Sequence, residues 1–227
     1  MVEVGPGPGG LTRALLDTAV ESVLAVEVDA RAITALAELE AAYPGRLRVL
    51  AADATRTDLA ALAAAPRQLV ANLPYNVATP LLVGWLRQAA LWERMTLMFQ
   101  QEVAERIAAA PDTPSYGRLS VLAQWTCRAA LLMRLPPAAF TPPPKVWSAV
   151  VGLQPHPAQP PPKLFAAMER VTAAAFGQRR KMLRGSLRAL GGEALLERAG
   201  IAPERRAETL DIAEFDRLAR LVGAEAG

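Results

Sequence analysis

Val2-Glu3-Val4-Gly5-Pro6-Gly7-Pro8-Gly9-Gly10 is the stretch that decides the fold of this 227-residue chain. A short strand-like run leads into a glycine-rich turn, and a helical pattern follows from Leu11 to Ala19. Glycines let the backbone turn tightly and approach a ligand closely, and the helix that follows presents free N–H groups. Gly5, Gly7 and Gly10 satisfy the spacing G-x-G-x-x-G, so the turn by itself is compatible with either a nicotinamide cofactor or S-adenosylmethionine.

Strand and helix patterns alternate over the first two thirds of the chain. Strands are predicted at Val2–Val4, Val23–Val28, Leu47–Ala51, Leu69–Ala71, Met95–Phe99, Ala130–Leu135 and Ser148–Leu153. Helices are predicted at Leu11–Ala19, Ala30–Ala42, Asp58–Ala65, Leu81–Ala90, Glu102–Ala110 and Leu119–Cys127. Such alternation predicts an α/β fold with a mostly parallel sheet covered on both faces. Seven strands with a hairpin-like last pair would be the methyltransferase variant of the Rossmann sheet.

A proline-rich segment separates this region from the rest of the chain. Five of the nine residues from Gln154 to Pro162 are prolines, which is typical of a linker. From Leu164 onward the chain has helical periodicity and no strand pattern. We therefore predict a Rossmann-like domain over residues 1–156 and a small all-α domain over residues 163–227.

Composition excludes several classes of protein. The chain is 52% hydrophobic without a long charge-free apolar run, which predicts a soluble globular protein with no membrane span. No secretory signal is visible, and a single cysteine, Cys127, excludes an internal disulfide. With one histidine, His156, a Cys/His metal site is not expected. These features favour a cytoplasmic protein in which Cys127 is a core residue.

The positive charge of the chain lies in its last third. Residues 1–162 contain 13 basic and 13 acidic side chains, whereas residues 163–227 contain 12 basic and 9 acidic ones. The densest block is Arg179, Arg180, Lys181, Arg184 and Arg188, with no acid between them. Such a block suits contacts with nucleic-acid phosphates, although a solvated helix face is the alternative.

Polar side chains follow three further strands of the predicted sheet. Glu27 ends the second strand and is placed to accept two ribose hydroxyls, while Asp53 follows the third and can accept the amino group of an adenine. Asn72 ends the fourth strand. Because ligands of open α/β sheets bind outside the carboxyl ends of the strands, we expect these groups to share one site with the glycine turn.

Asn72-Leu73-Pro74-Tyr75 has the chemistry needed to hold an adenine amino group. The lone pair of that amine is delocalised into the ring, so a methylating site must accept its hydrogens with an amide and a backbone carbonyl oxygen. Pro74 fixes the local backbone and has no N–H, and Tyr75 offers a flat face for a base. The alternative is a plain helix-entry turn with Pro74 near the first helical position.

The order of the motifs resembles that of the KsgA/RsmA family of small-subunit rRNA adenine dimethyltransferases. They are Glu3-Val4-Gly5-Pro6-Gly7, Val26-Glu27-Val28-Asp29, Ala52-Asp53-Ala54, Asn72-Leu73-Pro74-Tyr75, residues 99–106, Tyr116-Gly117-Arg118-Leu119-Ser120, Phe140-Thr141-Pro142-Pro143-Pro144-Lys145-Val146 and residues 176–183. The resemblance implies a class I methyltransferase that uses S-adenosylmethionine to dimethylate two adjacent adenines in the 3′-terminal hairpin loop of 16S rRNA, acting as a monomer on the small (30S) subunit.

The resemblance also implies roles for individual residues. Cofactor binding would fall to Glu3, Gly5, Gly7, Glu27, Asp53 and Asn72. Catalysis would involve Asn72, Leu73, Pro74, Tyr75 and Phe140, with Tyr75 and Phe140 on either side of the flipped adenine. RNA contacts would come from Arg106, Arg118, Lys145, Arg179, Arg180, Lys181 and Arg184.

One departure from the family concerns the start of the chain. Family members have a segment upstream of the first strand, with a Gln-Asn-Phe-Leu motif that covers the methionine end of the cofactor. This chain begins at Met1, directly in that strand. The resemblance therefore implies a chain short of that segment, with a weakened hold on its cofactor.

Two other functions are compatible with the sequence. An Erm-type 23S rRNA methyltransferase shares the Asn-Leu-Pro-Tyr chemistry, although the Arg179-Arg180-Lys181 block and the run from Phe140 to Val146 favour the small-subunit enzyme. A noncatalytic RNA-binding assembly factor for the small subunit is the alternative from a different class.

Overall fold

A single seven-stranded sheet organises the protein. The computed structural model describes residues 1–178 and 180–224, without the side chains of Tyr75 and Asn76. The strands are β1 (Val2–Val4), β2 (Val23–Glu27), β3 (Leu47–Ala51), β4 (Gln68–Asn72), β5 (Arg94–Gln100), β6 (Cys127–Leu135) and β7 (Ser148–Pro155). Their order in the sheet is β3-β2-β1-β4-β5-β7-β6.

The direction of the strands follows from how they are connected. Strands β1 to β5 are parallel neighbours joined by helical crossovers, which parallel pairing requires. Strand β7 is antiparallel to both β5 and β6, and residues 136–147 connect β6 to β7. The predicted Rossmann-like methyltransferase sheet is therefore confirmed.

Ten helices are present in the described part of the chain. They are α1 (Gly10–Leu16), α2 (Ala30–Ala42), α3 (Leu59–Leu62), α4 (Tyr75–Arg87), α5 (Gln101–Ile107), α6 (Arg118–Thr126), α7 (Pro162–Gly177), α8 (Leu183–Ser186), α9 (Gly192–Ala199) and α10 (Ile212–Ala224). Leu16, Leu36 and Leu39 of α1 and α2 bury an apolar cluster with Val23 and Ala25 of β2.

The boundaries of most helices differ from the prediction; α3 ends at Leu62 rather than Ala65, and α5 ends at Ile107 rather than Ala110. Helix α4 begins at Tyr75 rather than Leu81, with Pro80 inside it. Proline removes one backbone hydrogen bond and is disfavoured in a helix interior, but Pro80 does not interrupt this helix. Helix α1 ends at Leu16, three residues before the predicted end at Ala19.

The helices after β7 share a continuous core with the sheet layer. The rings of Trp125 in α6 and Phe165 in α7 have centroids 5.9 Å apart, and Phe176 stacks on Phe215 of α10 at 5.6 Å. The apolar cluster that contains the strands extends through these helices. Strand β7 ends at Pro155 and α7 begins at Pro162, on either side of the predicted boundary. The division into domains 1–156 and 163–227 stays a prediction.

Four polar contacts add specificity to this packing. The Tyr116 hydroxyl is buried and donates to the Leu210 carbonyl at 3.0 Å, and Trp125 Nε1 donates to Asp216 Oδ1 at 3.0 Å. Glu169 of α7 accepts Arg87 at 2.9 Å and Arg118 at 3.4 Å. These contacts join α4 and α6 to the C-terminal helices.

The single cysteine of the chain is part of the core. Cys127 is completely buried, and burial raises the pKa of its thiol to about 11, so it is a protonated core residue as expected. Within residues 1–178 and 180–224, no cluster of three or more His, Cys, Asp or Glu residues is arranged to hold a metal ion. No helix in this part of the chain is long and apolar enough to cross a membrane.

We predict that Tyr116→Phe lowers the free energy of unfolding by about 1–3 kcal/mol. The substitution keeps the ring but leaves the buried Leu210 carbonyl without its donor. Urea denaturation followed by circular dichroism measures the difference. Thr34→Ala is the control, because Thr34 lies on the exposed side of α2. An unchanged midpoint for Tyr116→Phe would show that this hydrogen bond does not stabilise the packing.

Candidate active site

The carboxyl ends of four parallel strands meet at one edge of the sheet. Val4 pairs with Val26 of β2 and with Ala71 of β4, so Gly5 comes level with Glu27 and Asn72. Glu27 in turn pairs with Ala51, and the Ala52 N–H donates to the Glu27 carbonyl at 2.9 Å. Asp53 follows directly. The structure thus brings the glycine turn and the three predicted polar residues to the same edge.

The glycine turn lies close to the main chain of Asn72. Gly5, Gly7 and Gly9 have φ values of 70°, 55° and 89°, a region that favours glycine. The Gly5 N–H donates to the Val26 carbonyl at 3.0 Å, and a Cβ added to Gly5 would lie 3.6 Å from the Asn72 carbonyl oxygen. The turn therefore forms a cradle between the ends of β2 and β4, in which a Cβ at Gly5 would be in van der Waals contact with the main chain of Asn72.

Backbone N–H groups orient the Glu27 carboxylate. Oε2 accepts the Gly7 N–H at 3.0 Å, and Oε1 accepts those of Val28 at 2.7 Å and Asp29 at 2.9 Å. The carboxylate is thus fixed between the glycine turn and the start of α2. A carboxylate has about four lone-pair sites, so it retains acceptor capacity for a hydroxyl.

Asp53 is held as an anion at the neighbouring strand end. Its Oδ1 accepts the Thr55 hydroxyl at 2.7 Å and the Thr55 N–H at 2.8 Å. These hydrogen bonds hold the pKa of Asp53 below its ordinary value. With 47% of its side chain exposed, Asp53 can still accept an amino group.

Val28 is an exposed apolar residue at this edge to which the sequence analysis assigns no role. Its side chain is 73% exposed, directly between Glu27 and the start of α2. An uncovered apolar side chain next to Glu27 and one strand from Asp53 suits the flat face of a purine. The signal was an apolar residue placed immediately after the acid at the strand end.

Glu3 is a buried carboxylate beneath the glycine turn. It is 1% exposed, and neither oxygen has a hydrogen-bond partner within the described residues. Burial raises the pKa of Glu3 to about 7, and a weak interaction with the Thr12 hydroxyl offsets only part of the rise. A carboxylate in this position is costly unless a ligand completes its environment.

The Asn72-Leu73-Pro74 turn lies where β4 meets α4. Asn72 is exposed at the strand end, Leu73 is buried, and Pro74 with φ −57° caps the helix that begins at Tyr75. The helix-entry turn is therefore present, and it carries the predicted adenine-binding groups. The Tyr75 side chain lies outside the described residues.

Phe140 reaches the same edge from the other side of the sheet. Met98 pairs with Asn72, and Gln100 at the end of β5 pairs with Ser148 at the start of β7. The connection from β6 to β7 therefore lies at the same carboxyl edge as Asn72, with β5 between β4 and β7. Phe140 is half-buried in that connection.

The predicted RNA-binding residues are not equivalent. Arg106, Lys145, Arg180 and Lys181 are exposed. Arg184 is also exposed and lies 3.8 Å from Glu204, whereas Arg118 pairs with Glu169 at 3.4 Å. Arg179 lies outside the described residues. Arg118 thus has a structural partner, and its role toward RNA stays a prediction.

Comparison with known proteins agrees with this geometry. The sequence profile of the family described as "Ribosomal RNA adenine dimethylase" matches residues 1–223. The chain belongs to this family. S-adenosylmethionine is the methyl donor of such enzymes, and the cradle at Gly5, the fixed Glu27 carboxylate and the unpartnered Glu3 carboxylate fit a ligand with ribose hydroxyls and a positive charge.

Several relatives carry the same name. "Ribosomal RNA small subunit methyltransferase A" of Gluconobacter oxydans is 66% identical over 97% of this chain and 73% of its own length. The protein of that name from Rhodospirillum rubrum is 56% identical over 99% of this chain and 78% of its own length.

Two solved structures share the fold. A dimethyladenosine transferase from Plasmodium falciparum superposes with a TM-score of 0.79 at 26% identity, over 96% of this chain and 87% of that one. The 23S rRNA methyltransferase ErmE superposes with a TM-score of 0.68 at 26% identity, over 96% of this chain and 88% of that one.

We predict that Glu3→Gln changes how the stability of this dimethylase family member depends on pH. A carboxyl with a folded pKa near 7 and an unfolded value near 4.5 stabilises the fold only while protonated, so stability falls as the pH rises from about 4.5 to 7. Removing that carboxyl should raise the free energy of unfolding at pH 8, relative to the wild type, by up to about 3 kcal/mol.

Urea denaturation at pH 4.5 and at pH 8 measures this effect. The variant and the wild type should diverge only at the higher pH, because Glu3 is neutral at the lower one. Glu38→Gln, on the exposed side of α2, is the control with no such divergence. Equal midpoints for Glu3→Gln and wild type at pH 8 would refute the shifted pKa of Glu3.

Proposed function

We propose that this protein transfers methyl groups from S-adenosylmethionine to N6 of two adjacent adenines in the 3′-terminal hairpin loop of 16S rRNA. The observation that carries the proposal is the close approach of the Gly5 turn to the main chain of Asn72, which sets a donor cradle beside an amide and a carbonyl acceptor. The name shared by relatives up to 66% identical favours the small-subunit substrate over 23S rRNA.

The proposed site residues divide into donor-binding and acceptor-binding groups. Glu27 would accept the ribose hydroxyls, Asp53 the adenine amino group, and Val28 would cover the purine ring. Glu3, Gly5 and Gly7 would shape the remainder of the cradle. S-adenosylmethionine supplies an electrophilic methyl group bonded to a sulfonium.

The acceptor side positions the target amine. The Asn72 amide oxygen and the Leu73 carbonyl would accept its two N–H groups, turning the nitrogen lone pair toward the methyl carbon. Pro74 has no N–H to compete for these acceptors. Phe140 and Tyr75 would stack on the two faces of the adenine that has left its own stack.

The reaction needs little acid–base catalysis. As the N–C bond forms, the S–C bond breaks, and the amine becomes acidic enough to release its proton to solvent. Positioning and orientation therefore supply most of the acceleration. A second transfer requires the same pocket to accept a monomethylated amine.

The substrate is proposed to be the small (30S) subunit, with the enzyme acting in the cytoplasm as a monomer. Arg106, Lys145, Arg180, Lys181 and Arg184 would contact phosphates through exposed side chains. The predicted contacts of Arg118 and Arg179 belong to the same proposal.

We predict that Asn72→Ala reduces kcat for methyl transfer by at least about 100-fold, the usual loss when a single polar contact to the reacting group is removed. The assay is transfer of labelled methyl to undermethylated 30S particles, with 50S particles as the substrate control. Binding to 30S particles should be nearly unchanged, because Asn72 contacts one base.

Gln68→Ala is the matched control, since Gln68 is an amide at the opposite end of β4, where it donates to Glu93 in a solvent-exposed contact. Its activity should equal that of the wild type. An active Asn72→Ala variant would overturn the assignment of the acceptor site, and label in 50S RNA would move the substrate to 23S rRNA. Binding to 30S particles without any label would support an assembly factor.

We also predict that the double variant Arg180→Gln and Lys181→Gln binds 30S particles less tightly and with a weaker salt dependence. Removing one phosphate interaction reduces the magnitude of the negative slope of log affinity against log salt concentration by about 0.7–0.9. Sedimentation binding at several salt concentrations gives the slope. The control Arg31→Gln and Arg56→Gln removes two exposed arginines near Asp29 and Asp53. An equal decrease of the slope in that control would argue against a local RNA contact.

A further inference from the structure

Trp147 is a large aromatic side chain that the fold leaves in water. It is 48% exposed, and the neighbouring Val146 is 44% exposed. Among the tryptophan, tyrosine and phenylalanine side chains that the structure describes, no other is exposed to this extent. Folding gains little from such a residue, because an exposed indole keeps much of its contact with water. The position of Trp147 therefore suggests contact with another molecule.

The backbone at Trp147 is firmly held. Its carbonyl accepts the Gln101 N–H at 2.9 Å, at the start of α5. The next residue, Ser148, is buried and pairs with Gln100 of β5. Three consecutive prolines, Pro142 to Pro144, precede this segment and restrict its φ angles. The aromatic residue is thus presented on a rigid part of the chain, with little conformational entropy to lose on binding.

Trp147 lies at the same sheet edge as the proposed acceptor site. Asn72 pairs with Met98, and Trp147 is one residue beyond Ser148, the partner of Gln100. Two strand spacings of ~4.8 Å and three residues of ~3.3 Å each place the two backbones roughly 14 Å apart. A nucleotide close to the target adenine in the same RNA strand can span this distance.

Two basic residues lie near this aromatic residue, one along the chain and one across the sheet. Lys145 is exposed two residues earlier, and Arg134 of β6 pairs in register with Ala149. The Arg134 side chain is 53% exposed while it contacts Glu105 at 3.3 Å. An exposed aromatic ring among cations is the combination that binds unpaired bases and their phosphates.

We infer that Trp147 stacks on a base that flanks the target adenine, and that it acts as a positioning residue for the rRNA loop. This inference rests on the proposed function. Stacking fixes where the strand leaves the acceptor pocket, while Asn72 and Phe140 hold the reacting base. Any base has a flat face, so the contact selects an unpaired strand rather than a sequence.

The test compares Trp147→Ala with Trp147→Phe in methyl transfer to undermethylated 30S particles. The alanine variant should raise the KM for particles about tenfold, with the KM for S-adenosylmethionine and kcat unchanged. Phenylalanine keeps a stacking face and should recover most of the affinity. Leu91→Ala is the control, because Leu91 is 43% exposed and lies near the amino end of β5.

Equilibrium binding to 30S particles and to protein-free 16S rRNA is measured alongside, so the contact is read even if no methyl is transferred. A wild type without activity would refute the proposed function, while weaker binding by Trp147→Ala would still support the contact. Binding within about twofold of the wild type would overturn it. Equal effects of the Phe and Ala substitutions, or an effect confined to protein-containing particles, would also overturn base stacking.

Discussion

The site depends on one constraint, the parallel placement of β1 between β2 and β4. The connection after β1 leads to β2 on one side, whereas the next strand on the other side is β4, so the chain changes direction across the sheet at this point. Loops at such a switch point separate and leave a crevice outside the carboxyl ends of the strands. Gly5 lies in that crevice, where its N–H donates a hydrogen bond to the Val26 carbonyl and its Cα is close to the Asn72 carbonyl. Gly5, Glu27 and Asn72 adjoin because these three strands are neighbours.

Much of this architecture could be predicted from the sequence, because its periodicities are strong. Helix α2 and strand β3 begin and end where the pattern predicts, and the mostly parallel sheet follows from the alternation of elements. Helix α4 begins at Tyr75, before the predicted start at Leu81. Tertiary packing holds its first turns, since Ala78 is buried in the apolar cluster and Val77 packs against that cluster. Such packing is a property of the whole fold and is absent from any short window of sequence.

The site itself could be predicted only in part. Strand-end positions indicated Glu27, Asp53 and Asn72, because the ends of parallel strands meet at one edge. Burial decides the protonation state of Glu3. The neighbouring residues in the sequence do not indicate that its carboxylate lacks a hydrogen-bond partner among the described residues. Exposure in turn gives Val28 and Trp147 their significance. Both residues have an apolar character that, in a sequence, is read first as core.

The helix layer sets the distance between the two parts of the proposed RNA surface, which are the acceptor turn at Asn72 and the basic residues Arg180 and Lys181. Helix α4 starts at the acceptor turn and carries Arg87, which meets Glu169 of α7. Both side chains of the pair are partly solvated, so the ion pair contributes no more than about 1 kcal/mol. The apolar contact between Trp125 and Phe165 supplies the larger share of the stabilisation.

Helix α7 leads directly to Arg180 and Lys181, so the same packed layer sets the distance from these cations to the acceptor turn. A fixed spacing between a base pocket and a set of phosphate contacts is suited to a folded RNA, which presents both at a defined separation. Under the proposed function, discrimination of the substrate would rest on the shape of the folded RNA, and the pocket at Asn72 would only have to distinguish adenine from the other bases.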